Sequence, residues 1–147
     1  MFTPLEGVRV LVTGGTRGIG RGIAARFEDA GARVLATGSE HDVSTPSGCA
    51  ALAAAAEETL GGLDVLINNA GLGLNQRFAT GDREREQHML DVLVTAVLRL
   101  SHAAAGQMKA KNRGSIVIVS SVASFIAGGT YSAAKAWATV FAESLAL

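Results

Sequence analysis

The sequence has a single cysteine, so no disulfide can form within the chain. Cys49 has neither a companion histidine nor a C-x-x-C spacing that would make it a reactive thiol. A small buried hydrophobe is the role expected of it. Surplus charge is missing too: thirteen basic residues balance thirteen acidic ones. That leaves no basic stripe to grip nucleic acid or an anionic membrane. Met1 to Gly7 lacks the charged-then-apolar layout of a signal peptide. The most apolar stretch, Ser115 to Gly128, is interrupted by serines and is too short to span a bilayer. Linkers, low-complexity tracts and internal repeats are absent, and no metal site is expected. These absences favour one soluble, cytoplasmic domain over residues 1–147 with a small-molecule partner.

The chain is rich in apolar residues. Of its 147 residues 48% are hydrophobic and 18% charged, enough for one real core and too few charges for a disordered chain. Val8 to Thr13 is a β-branched run that stops at Gly14-Gly15, and Ala32 to Thr37 is a second that stops at Gly38. Between them Ile19, Ile23, Ala24 and Phe27 recur at helical spacing, with Gly31 placed as a C-cap. Strand, glycine turn, helix and strand make a βαβ unit. The pattern continues with an alanine-rich helix (Cys49 to Leu60), a strand (Leu63 to Ile67) and a long helix (Arg83 to Lys111). Met89, Val92, Ala96, Leu100 and Ala104 share one face of that helix. A fourth strand (Ser115 to Ser120) and a last helix from near Tyr131 to Leu147 complete the series. Alternation of this kind predicts an α/β chain, a Rossmann-like three-layer α/β/α with a parallel sheet. Right-handed crossovers give about four strands in the order 2-1-3-4.

The turn Thr13-Gly14-Gly15-Thr16-Arg17-Gly18-Ile19-Gly20 sits where the first strand hands over to the first helix. Glycine tolerates positive φ there, and its missing side chain lets backbone N–H groups approach a pyrophosphate. The helix N-terminus behind it adds a partial positive charge for the same group. The third strand leads into Asn68-Asn69-Ala70-Gly71 at the carboxyl edge of the sheet, where ligands of such folds bind. Further on, Tyr131 and Lys135 are four residues apart and share a helix face.

T-G-x-x-x-G-x-G, N-N-A-G and Y-x-x-x-K, in that order, resemble the short-chain dehydrogenase/reductase family over nearly the whole chain, from Leu5 to Leu145. The resemblance implies an oxidoreductase that moves hydride between a nicotinamide cofactor and a hydroxyl or carbonyl group of a small substrate. It implies cofactor contacts from Gly14, Thr16, Arg17, Gly18, Ile19, Gly20, Ser39, Asn69, Ala70, Gly71, Tyr131 and Lys135. Ser121, Tyr131 and Lys135 then form the catalytic set, with Ser120 the neighbour of the matched serine. A free phenol titrates near 10, and an adjacent ammonium lowers that value, so the pair can trade a proton with substrate. Relatives often pair through helices matching Arg83 to Lys111 and Tyr131 onward, so a homo-oligomer is implied.

Several positions depart from the family pattern. Asp91-Val92-Leu93-Val94 has leucine where the family carries asparagine, which predicts a slower enzyme or none, since leucine makes no hydrogen bond. Ser121 and Tyr131 stand ten residues apart, a short interval for the family. Only Ser39 to Thr45 separates the second strand from the next helix, where the family has a further helix and strand. His41-Asp42-Val43 resembles the Asp-Val pair that lies beside the adenine. The end at Leu147 implies a shortened fold whose fourth strand is left as an edge prone to associate. A non-catalytic nucleotide-binding or partner-binding remnant is the alternative reading. At the end of the second strand, Thr37-Gly38-Ser39-Glu40 holds small neutral residues with room for a 2′-phosphate, and Arg17 can pair with it. NADP is expected, with NAD left open by Glu40.

Overall fold

In the computed structural model, which describes residues 5–145, the four apolar runs form parallel strands β1 (Arg9–Thr13), β2 (Arg33–Thr37), β3 (Val65–Asn68) and β4 (Ser115–Ile118). The sheet order is β2-β1-β3-β4, as the alternation predicts. Side chains alternate across it. Val10, Val12 and Ile67 pack on α1 (Gly18–Asp29). Leu11, Leu66 and Ile116 pack on α2 (Pro46–Leu60) and α4 (Ala96–Ala110).

The unequal division of helices follows from the strand order. The step from β1 to β2 runs one way across the sheet, and the steps from β2 to β3 and β3 to β4 run the other way. Right-handed crossovers must then put α1 on one face and α2 and α4 on the opposite one. α5 (Thr130–Leu145) joins the second group, packing near α3 (Arg83–Leu90) and the π-turn Asp91–Thr95 that links α3 to α4. Among the described residues α1 alone covers its face, and Val117 is 45% exposed at the β4 edge.

Element boundaries shift from the expected ones for local reasons. α2 begins at Pro46, not Cys49, because the Thr45 hydroxyl accepts from the Gly48 N–H and Pro46 stands in the first turn. The long helix carries an extra residue in its π-turn, yet Met89, Val92, Ala96, Leu100 and Ala104 are all buried as their spacing predicts. β4 stops at Ile118, with one further bond from Val119 N–H to the Asn68 carbonyl. Ile116-Val117-Ile118-Val119 lies along the sheet edge, as the shortened fold implies. Ile23, Ala24 and Phe27 pack on the sheet, whereas Ile19, at the same helical spacing, is 73% exposed and lines the cleft. It stands in the first turn of α1, past the carboxyl end of the sheet, where no strand lies beneath it. Cys49 is buried as expected, its thiol pushed up by burial. The part of the last helix expected beyond Leu145 lies outside the described residues.

An ion pair ties the sheet together at the end opposite the glycine turn. Arg9 Nε and Nη2 each donate to Asp64 at 2.8 Å, joining the starts of β1 and β3. Hydrogen bonds from the Arg9 side chain, helped by its backbone N–H and the charge of Arg113, hold the Asp64 carboxyl well below the usual carboxylate range. A depressed carboxyl stabilises the fold fully above the ordinary aspartate value near 4, and that contribution drains away as pH falls towards the folded value. Asp64→Asn is expected to cost about 2 kcal/mol at neutral pH. Urea titrations should show the gap to wild type closing between about pH 5 and about pH 2; a gap that stays constant would show that the pair does not act this way.

Candidate functional site

The carboxyl ends of β1, β2 and β3 open into a cleft of about 790 Å³. Gly14, Thr16, Arg17, Gly18, Ile19 and Gly20 line it from the glycine turn, Ser39 from the end of β2, and Asn69, Ala70 and Gly71 from the end of β3. Every cleft residue expected from those three segments is therefore gathered at one place.

The glycines of the turn do different work. A Cβ on Gly20 would collide with the Gly14 carbonyl oxygen and Asn69 Nδ2, and one on Gly14 would lie 2.9 Å from Ala70 Cα. These two let the turn close on the β3 end. Gly18 has φ of +55° and nothing within 4 Å of its missing Cβ. It keeps the wall of the cleft bare. The N-terminus of α1, just behind, receives no side-chain cap from Arg17. By contrast, α2 and α3 are capped by the Thr45 and Asp82 side chains. Free N–H groups beside an open glycine suit a diphosphate, so the residues present fit the dinucleotide that the sequence implies.

Asn69 is the brace of the site. Its Nδ2 donates to the carbonyls of Thr13 and Gly14, both at 3.1 Å. The backbone N–H groups of Asn69 and Ala70 both donate to Thr13 Oγ1 at 3.0 Å. Thr13, a motif residue not expected in the site itself, fixes the spacing between the two ligand-facing turns. Asn68 turns the other way and donates to Ser101 Oγ at 3.0 Å, locking β3 to α4.

Lys135 and Tyr131 are brought together but stand outside the cleft lining. Lys135 is only 8% exposed; its Nζ donates to the Val119 carbonyl at 2.8 Å and lies 5.9 Å from the centre of the Tyr131 ring. Burial pushes the ammonium below its ordinary value. Tyr131 packs against the buried cluster of Met89, Leu93 and Ala134, and so does Leu72, which also borders the cleft. Ser121 Oγ accepts from the Ala123 N–H and caps the short 3-10 turn Val122–Phe125. Ser120 differs: its Oγ donates to the Lys135 carbonyl and contacts Thr139 Oγ1 at 2.7 Å. Ser120 is thus spent on holding α5, and Ser121 keeps a hydroxyl proton to offer.

Leu93 is buried in the Tyr131 cluster, and its Cδ2 would lie 3.1 Å from a Cβ on Gly71. The residue that breaks the family pattern therefore fills space between the Tyr131 helix and the β3 turn. His41, Asp42, Val43, His88 and Val92 also line the cleft, as do Thr37 and Gly38. His88 and Val92 carry no local sign of such a place. They reach it because the long helix lies on the same face of the sheet as α2, where Val92 joins Val43 in the core.

Comparison with known proteins gives a consistent result. The sequence profile described as "short chain dehydrogenase" matches residues 36–147. The chain is 30% identical to the 3-oxoacyl-(acyl-carrier-protein) reductase of Vibrio cholerae, covering 97% of this chain and 67% of the relative. It is 30% identical to the NADP-dependent (R)-specific alcohol dehydrogenase of Lentilactobacillus kefiri, covering 100% of this chain and 68% of the relative. Among solved structures, a short chain dehydrogenase from Burkholderia cenocepacia in complex with NADP superimposes with a TM-score of 0.85 at 28% identity, covering 98% of this chain and 69% of that one. The chain thus spans about two thirds of the length of the relatives it matches. The Vibrio alignment runs over 164 positions against 147 residues here, so that relative carries residues which this chain lacks within the matched region.

Proposed function

Because this chain belongs to the short-chain dehydrogenase family, we propose that it is an NADP-dependent oxidoreductase interconverting a hydroxyl and a carbonyl group of a small molecule, with Tyr131 as the general acid/base. The observation that carries the reading is the uncapped α1 N-terminus behind the bare Gly18, braced by Asn69. The alcohol dehydrogenase relative is named for NADP and the Burkholderia structure holds it.

NADPH, when bound, would supply the hydride for a substrate carbonyl. The turn from Gly14 to Gly20 holds the diphosphate, while Asn69, Ala70 and Gly71 wall the far side. Thr16, Arg17, Ile19 and Ser39 complete the binding face. In the reducing direction Tyr131 Oη gives its proton to the carbonyl oxygen, and in the oxidising direction it takes the hydroxyl proton back. Lys135 keeps two N–H donors beyond the one spent on Val119, enough for a ribose hydroxyl. Ser121 donates to the substrate oxygen and orients it. This reading includes a soluble, cytoplasmic enzyme that pairs with a second copy through α4 and α5, where Leu98 and Val140 are exposed. The 28-residue helix Arg83–Ala110 is long and apolar enough to cross a membrane, but its apolar face is spent on the sheet.

Leu93 favours a second reading, a nucleotide-binding protein without turnover, since a buried leucine offers no polar group behind Lys135. One pair of measurements divides the two. Enhanced NADPH emission on mixing with the chain, with loss of NADPH absorbance on adding carbonyl compounds, supports the enzyme. Binding with no turnover across a broad panel of aldehydes and ketones selects the second reading. Absence of binding would sink both.

A further inference from the structure

The end of β2 holds a hydrogen-bonded chain whose last member faces the cleft. Thr37 is buried, and its Oγ1 lies 2.8 Å from Glu40 Oε1 and 3.0 Å from His41 Nδ1. The Gly38 N–H donates to the same Glu40 oxygen at 2.7 Å. Glu40 accepts from both groups, and its carboxyl is held below the ordinary range chiefly by the Gly38 N–H. A carboxylate cannot donate, so the single Thr37 proton goes to Glu40. His41 must then supply the other proton of the chain, from Nδ1 to Thr37 Oγ1. This fixes the tautomer: Nδ1 carries the hydrogen and Nε2 has no protein partner among the described residues.

His41 lines the cleft with Ser39 and Arg17, whereas Glu40 does not. Asp42 lines it too, but Asp42 Oδ1 accepts from the Ser44 N–H and hydroxyl at 3.0 and 2.6 Å. The Thr16 hydroxyl, next to Arg17, would sit 2.5 Å from a Cβ on Gly38, so the turn and the β2 end form one lip. Glu40 Oε1 and Asp42 Oδ1 accept hydrogen bonds within the lip, and the groups able to donate to an anion there are Arg17 and the imidazole.

We infer that His41 is the residue that reads the 2′-phosphate of the adenosine half: as an imidazolium oriented by Thr37 and Glu40, it donates Nε2–H to a phosphate oxygen opposite Arg17. This inference rests on the reading of the cleft as an NADP site, and it adds a specificity-determining residue that the motifs do not indicate. The charged groups that bear on the ring are Glu40, 4.0 Å away, Asp42 beside it, Arg17 from the turn and His88 from α3.

The sign of the pH dependence distinguishes His41 from Arg17 acting alone. A phosphate monoester takes up a proton near pH 6 and so binds a fixed guanidinium less well as pH falls. A histidine gains its charge over the same range, which reverses the trend. The probes are 2′,5′-ADP and 5′-AMP, titrated calorimetrically into the whole chain at pH 6 and pH 8. The ratio of their affinities is expected to be about tenfold or more in favour of 2′,5′-ADP at pH 6, and to shrink severalfold at pH 8. His41→Gln should lose that pH dependence. In wild type, the NMR resonances of the His41 ring should shift on adding 2′,5′-ADP and stay put with 5′-AMP. If both nucleotides bind but the ratio is unaffected by His41→Gln and does not rise on acidification, the role of His41 is overturned and the NADP site stands. If neither binds, the site and the role of His41 both fall.

Discussion

Tyr131→Phe should lower turnover by about 10²–10⁴-fold, the span of a lost general acid/base, while NADPH binding is retained. The substitution removes one oxygen and nothing else. The ring packs with Met89, Leu93 and Ala134, and phenylalanine keeps those contacts, so thermal stability should hardly move. That separation is informative. A Tyr131 with only a packing role would leave kcat intact in the phenylalanine variant, and a Tyr131 needed for the cofactor site would raise the Kd for NADPH instead. Stopped-flow absorbance at saturating NADPH, with emission titrations on the same preparation, reads both quantities. Undiminished turnover in Tyr131→Phe would remove this residue from the chemistry.

Gly20→Ala should be the most damaging single-methyl change in the turn. Its Cβ would overlap the Gly14 carbonyl oxygen and Asn69 Nδ2. The first is backbone, and the second is held by two carbonyls, so neither can step aside cheaply. The expected cost is about 3 kcal/mol, the upper end for overpacking. For a chain of this size that lowers the melting temperature by roughly 10 °C. NADPH binding should be lost as the Gly14–Gly20 turn is prised from the β3 end. Gly22→Ala is the control: Gly22 is exposed in α1 with nothing within 4 Å of a new Cβ. That change should stabilise the helix by up to about 1 kcal/mol. Equal stability and equal NADPH affinity in Gly20→Ala and wild type would mean the turn is not packed as described.

Much of this was legible before any coordinates. The hydrophobic runs have strand length and the intervening segments helical spacing, and most of them end at a glycine; those are local signals set by backbone geometry. Strand order followed from crossover handedness, a rule with few exceptions. The glycine turn and Asn69-Ala70-Gly71 were readable because a backbone cradle needs particular residues at fixed spacings. Periodicity alone does not report which residues find neighbours: Ile19 keeps the helical spacing of Ile23 and Phe27 but is 73% exposed at the cleft, and Val117 of the edge strand is 45% exposed.

The sequence by itself determined the order of elements and the chemistry available at the cleft, because both depend on residues close together along the chain. Only the tertiary structure decided which serine is free, since Ser120 meets Lys135 and Thr139 across a helix, and that Leu93 packs between Gly71 and Tyr131. It alone put the Thr37, Glu40 and His41 chain at the cleft that Arg17 also lines. Contacts between distant segments depend on how the layers pack, and a linear pattern carries almost no record of that.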